Sequence, residues 1–193
     1  MPGQDQGQCL AGDPLSIRFP ESEAPGGGIL FRFGGFFPLA GKETIQLILT
    51  SPVTGRAAAL TETPDTLFAS GLMGAGALLY PSEGLLRAPC DGVVDYVLPQ
   101  RYALGLKADQ GLELLLQVGI DTDTLNGVGF HPLVKPGLRV RRGQALLTFD
   151  LEELRRRGLP TATPLVVNLP ASQVRPLASG ELSAGSNLLE VTV

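Results

Sequence analysis

Glycine and proline interrupt this chain so often that short strands joined by turns, not long helices, are the expected structure. Among 193 residues there are 25 glycines and 16 prolines, and helices tolerate neither in their interiors. The apolar runs left between them are short. Thr44–Leu49 alternates apolar and polar residues, the spacing of a half-buried strand, and Ser51–Pro–Val–Thr–Gly55 then turns. The turn has an echo: Pro52-x-x-Gly55 recurs as Pro89-x-x-Gly92, each between hydrophobic strands, which suggests two related hairpin units packed face to face. Val134–Lys–Pro–Gly137 and Arg141–Arg–Gly143 bracket a short strand, Pro-Gly supplying the positive φ of a type II turn. Thr163–Pro–Leu–Val–Val–Asn168 opens the last β-region, which closes with Leu188–Val193. One short helix is signed at both ends. Asp150 caps it, Glu153 is placed to close a capping box, and Gly158 with Pro160 ends it. Arg155–Arg–Arg157 then falls at the negative end of the helix dipole and needs no ligand to explain it.

Two regions differ in composition. Residues 1–43 form a Gly/Pro/Phe-rich extension, in which Met1–Pro25, rich in Gly, Pro, Gln and acidic residues, is expected to hold little structure of its own, and residues 44–193 form the β domain. Four of the eight phenylalanines fall between Phe31 and Phe37, inside Ile29–Leu39. A strand or flap packed on the domain is the plainer expectation for them. A membrane-surface or partner anchor through residues 29–39 is the other, against which the double glycine there argues. Cys9 and Cys90 have no metal or redox spacing, and Cys90 between apolar strands is expected to be a small buried side chain. A net charge of −4 offers no basic stripe for nucleic acid. The polar N-terminus lacks the pattern of a secretory signal, and no apolar run nears the roughly 20 residues of a membrane span. A cytoplasmic protein is expected.

Six motifs then appear in order: Ser51–Pro–Val–Thr–Gly55, Pro64–Asp–Thr–Leu–Phe–Ala69, Ala88–Pro–Cys–Asp–Gly92, Gly119–Ile–Asp–Thr122, Gly127–Val–Gly–Phe130 and Thr163–Pro164. In this order and spacing the chain from about Thr44 to Val193 resembles the glucose-type IIA domain of the phosphoenolpyruvate-dependent sugar phosphotransferase system. The resemblance implies an all-β fold, a compact β-sandwich or duplicated barrel–sandwich hybrid with a few short helices. It also implies a protein that accepts a phosphoryl group from a histidine on a small carrier and passes it to a sugar permease. Lipoyl and biotinyl carriers share part of that hybrid, but their hairpin-tip lysine motif is absent here.

Carried over by position, the resemblance puts the phosphate acceptor at Gln117, in Gly111–Leu–Glu–Leu–Leu–Leu–Gln–Val–Gly–Ile–Asp–Thr122, and its companion imidazole at Tyr102. A four-residue turn over Ala108–Gly111 would set Tyr102 and Gln117 directly opposite each other; an odd-numbered turn would not. Neither residue supplies the chemistry. An amide has no usable nucleophilic nitrogen, and a phenol with a reference pKa of about 10 is scarcely ionised at neutral pH. Ala75 replaces the family's usual aspartate, and Thr124, Asn126 and Val128 replace charged residues common after the Gly-Ile-Asp-Thr motif. The single histidine, His131 before a proline, is expected to be structural or superficial and is one candidate for a relocated acceptor. One histidine builds neither a multi-ligand zinc site nor a supported triad. No metal or cofactor is implied.

The expected function is therefore a IIA-like module that cannot carry phosphate at the usual site and works by protein binding or regulation. Its partners would be phosphotransferase-system components or a permease. The contact positions implied by the resemblance are Leu67, Phe68, Leu98, Tyr102, Leu104, Leu115, Gln117 and Asp121, some of which alternation along a strand would send into the core. A working phosphocarrier with an unusual acceptor is the competing expectation. An anion sensor relying on Arg101, the one nearby cation, is a third.

Overall fold

The computed structural model describes residues 45–193, so the expectations for the Phe-rich extension and for an anchor at residues 29–39 lie outside the described residues. Turn residues divide the described chain into fourteen short strands and two short helices. The first half carries β1 (Gln46–Thr50), β2 (Gly55–Ala59), α1 (Thr66–Ala69), β3 (Ala75–Pro81), β4 (Leu85–Arg87), β5 (Gly92–Val97), β6 (Ala103–Ala108) and β7 (Glu113–Gln117). The second carries β8 (Phe130–Pro132), β9 (Arg139–Val140), β10 (Ala145–Phe149), α2 (Leu151–Arg156), β11 (Thr163–Val167), β12 (Val174–Pro176), β13 (Gly180–Leu182) and β14 (Asn187–Thr192). Every pairing is antiparallel. The fold is the expected all-β sandwich.

The Pro-x-x-Gly echo marks a true internal repeat. The eight-stranded sheet runs β13-β2-β3-β11-β7-β6-β5-β9, and the two three-stranded sheets run β1-β14-β12 and β4-β10-β8. Each order maps onto its counterpart about an axis between β11 and β7. The two turns clasp each other: Thr50 N–H donates to the Pro89 carbonyl at 2.9 Å and, reciprocally, Arg87 N–H donates to the Pro52 carbonyl at 2.8 Å. The glycines closing the two turns admit a neighbouring backbone where a side chain cannot fit. A Cβ on Gly55 would lie 2.1 Å from the Tyr80 carbonyl oxygen, and one on Gly92 would lie 2.3 Å from that of Lys107. Even the irregularities repeat, for β1·β14 and β4·β10 each skip one residue, at Leu188 and Leu146.

The core fills the space between the sheets with leucine and valine. Leu104, Leu106, Leu114 and Leu116 from β6 and β7 are buried there, each stabilising the fold by about 1.5–3 kcal/mol. A smaller cluster on the other face of the eight-stranded sheet joins Leu60, Phe68, Leu78, Ile120, Ala162 and Val166. Among the described residues no buried side-chain polar atom lacks a partner.

The helix signs hold with one correction. Asp150 Oδ1 accepts the Glu153 N–H at 3.0 Å, and a closing pair of bonds, Gly158 N–H to Arg155 O and Leu159 N–H to Leu154 O, ends α2 with Gly158 at positive φ. The capping box does not close. The Asp150 N–H is already bonded to the Gly129 carbonyl, which leaves Glu153 free to turn its carboxylate to Arg156 and Arg157. Arg155 pairs with Glu152, so the arginine run is held by its own helix.

Candidate functional site

The hairpin β6–β7 sets the geometry around Gln117, and its turn has three residues, not four. Ala108 N–H bonds to the Leu112 carbonyl, Gly111 N–H returns to Ala108, and Gly111 sits at φ 84°. Gln117 therefore pairs with Ala103, and Tyr102 stands one step beyond, its carbonyl accepting the Val118 N–H at 2.8 Å. The directly opposed pair expected from a four-residue turn is not formed. The two backbones are still neighbours across the hairpin. Tyr102 also precedes the strand, because Leu98–Arg101 closes a tight turn with Arg101 at φ 65°. Its half-buried ring packs on the main core cluster.

Gln117 is half-buried, and its Nε2 donates to the Gly119 carbonyl at 3.1 Å. Leu115, two positions back on β7, packs against the smaller cluster holding Phe68 and Ile120. This places α1 beside the strand that carries Gln117. Asp65 caps α1, its carboxylate accepting the Leu67 N–H at 2.8 Å. Between α1 and the Gly119–Asp121 turn lies a cleft of about 280 Å³ lined by Pro64, Asp65, Thr66, Ile120, Asp121 and Pro160. Asp121 is exposed at φ 58°, and its carboxylate has no hydrogen-bond partner among the described residues.

The other expected contact residues separate by burial. Leu67 is 56 % exposed, Leu98 and Leu115 are half-buried, and Phe68 and Leu104 are buried. Phe68 is held by the smaller cluster, and Leu104 points from β6 into the sandwich. Two residues not expected from the sequence complete the exposed apolar surface: Leu72 at 79 % and Met73 at 45 % exposure, in the loop after α1. Met73 and Leu115 line one groove, so this loop borders the same side of β7. The one available signal was their position between Gly71 and Gly74, in a segment with no strand or helix period.

His131 lies on β8, the edge of a different sheet, with its side chain exposed and its neighbour Phe130 buried. It lines none of the three described cavities. Among the described residues no group of His, Cys, Asp and Glu is placed to hold a metal ion. Arg101 borders Gly127, its Cδ 3.9 Å from where a Cβ would stand there. The surface around Gln117 thus offers hydrogen bonds, two carboxylates and exposed leucine and methionine. Among the described residues it offers no histidine.

Comparison with known proteins agrees with this architecture. Residues 47–172 match the family described as phosphoenolpyruvate-dependent sugar phosphotransferase system, EIIA 1. Among solved structures, the glucose permease IIA from Mycoplasma capricolum superposes with a TM-score of 0.71 at 26 % identity, covering 76 % of this chain and 96 % of that one. Csd3 from Helicobacter pylori is a distant match, with a TM-score of 0.39, 17 % identity, and coverage of 62 % of this chain and 29 % of that one. Among the described residues no helix is long and apolar enough to cross a membrane.

Proposed function

The chain belongs to the EIIA 1 family of the phosphoenolpyruvate-dependent sugar phosphotransferase system, and from that premise we propose that it is a docking and regulatory module that does not relay phosphate. The reading is carried by Gln117. It occupies the position the resemblance gives to the phosphate acceptor, its amide is tied to Gly119, and an amide nitrogen has no lone pair free to attack phosphorus. Tyr102 does not replace the missing imidazole, because its ring packs on the core and a tyrosine phosphate ester would not pass the group onward.

The docking surface is the exposed apolar ridge of Leu67, Leu72 and Met73 beside half-buried Leu115 and Gln117, with Asp65 and Asp121 at one side. Apolar residues flanked by two carboxylates suit a protein partner that carries its own apolar patch and a basic side chain. Partners of the phosphotransferase system, met in the cytoplasm, fit that description. Binding without transfer lets such a module occupy a partner and hold it unused.

The test is a titration of the isotope-labelled protein with the unphosphorylated histidine-containing carrier protein and, separately, with a sugar-permease domain. Resonances of Leu67, Leu72 and Met73 should shift with at least one of them, and Leu72→Asp should weaken binding by about tenfold or more. Shifts confined to other faces, or no binding to either, would remove the docking surface.

A further inference from the structure

A second groove opens on the outer face of the eight-stranded sheet, next to the ridge described above. It has a volume of about 250 Å³ and includes Met73, Asp95, Tyr96, Gly105, Glu113 and Asn168 in its lining. Its floor is the ring of Tyr96. A Cβ built on Gly105 would stand 2.3 Å from Cε1 and 2.7 Å from both Cδ1 and Cζ. Those three distances place the point straight above Cε1, along the normal to the ring. The phenol therefore lies face down on the strand, in space that only a glycine leaves open, and its other face is turned outward with the residue 39 % exposed.

A β-bulge makes this arrangement. β5 and β6 lose register between Val94 and Tyr96, and the extra residue, Asp95, puts two successive exposed side chains where strict alternation would bury one. The corresponding pair in the other half of the repeat, β2·β3, is regular throughout. The bulge therefore belongs to this half and not to the repeat, and bulges characteristically re-aim side chains at sites.

The groups that face the ring are acidic. Asp95 and Glu113 line the groove with Tyr96; burial, and then these two carboxylates, raise the phenol above its ordinary pKa. Asn168 Nδ2 approaches Glu113 Oε2 at 3.4 Å and leaves that carboxylate with room for a stronger donor. Lys107 is opposite Glu113 in the register and makes no ion pair with it among the described residues. A negative field above an exposed aromatic face favours a planar cation over a neutral or anionic group.

We infer that the groove over Tyr96 receives an arginine side chain of the docking partner, its guanidinium stacked on the ring and bonded to Asp95 and Glu113. The inference rests on the docking reading, since Met73 joins the groove to the proposed ridge. It adds a charge requirement to the partner, a basic residue placed to reach past the loop that carries Leu72 and Met73.

The experiment titrates the isotope-labelled full chain with acetyl-arginine amide, with its neutral isostere acetyl-citrulline amide, and with glucose. The arginine probe should shift Tyr96, Gly105 and Glu113 saturably, with citrulline about tenfold weaker. Tyr96→Ala and Glu113→Gln should each cut the response severalfold. Gly105→Ala should do the same by lifting the ring while leaving both carboxylates in place. Equal response to citrulline, a response to glucose alone, an arginine response unchanged in Tyr96→Ala, or no response at all would overturn the assignment. Because the probe reads this groove without the Leu72 ridge, its failure is distinct from failure of the carrier titration.

Discussion

Cys90 is buried among core side chains with Asp91 and Asp109 near enough to act on it, and these effects push its thiol up to about 11 against a partial offset from Arg142. A thiol whose folded pKa exceeds its unfolded value of 9.0 stabilises the fold fully below that value. The contribution is lost as pH rises, because the unfolded chain releases the proton first. Urea denaturation should therefore show stability falling between about pH 9 and 11, by roughly 2–3 kcal/mol from this group, and Cys90→Ala should flatten that slope. Peptide mapping after alkylation at pH 8 should find Cys90 unmodified in the folded protein and modified in urea. The residue's burial was legible from its apolar flanks. The pairing of Tyr102 and Gln117 was not, because a positive φ at Gly111 shortens the turn by one residue, and glycine spacing alone does not say which turn forms.

At the scale of elements, α2 is short enough that its ends decide whether it forms. Its cap supplies one orphan N–H with a charged acceptor, and its last turn is closed by the Gly158 geometry. Asp150→Ala should cost about 1 kcal/mol and lower Tm by a few degrees, read by calorimetry. These ends were readable because capping is local chemistry. The four-residue α1 was not, although Asp65 caps it in the same way, since four residues carry no helical period. The exposure of Leu72 and Met73 escaped for a related reason: a leucine in a loop looks the same whether it closes a core or faces water. The bulge at Asp95 is set by how β5 meets β6, a tertiary fact without a local sign.

Across the whole molecule, the duplication explains why so short a set of strands makes a stable sandwich. Each half clasps the other through the reciprocal Pro-x-x-Gly turns, so the halves share one core and should unfold together. Gly55→Ala and Gly92→Ala both drive a methyl into backbone carbonyls and should each leave a chain without a cooperative thermal transition. Gly143→Ala, with open space around it, should fold with a loss of about 1–2 kcal/mol. The Pro-x-x-Gly echo made two units readable, but the full palindrome of the sheets was not, because the halves share geometry far more than residues. The same divergence bears on function. A scaffold whose two halves tolerate such change keeps its shape when residues at one site are replaced, and on the proposed reading the site at Gln117 has lost its imidazoles while the strands around it persist.

Intact-mass analysis of the full chain after incubation with phosphoenolpyruvate and the general phosphotransferase carrier proteins tests that loss most directly. The account predicts an unchanged mass, with a histidine-bearing IIA domain phosphorylated in the same tube. An acid-labile gain of one phosphate on this chain, above all one that disappears in His131→Ala, would contradict it.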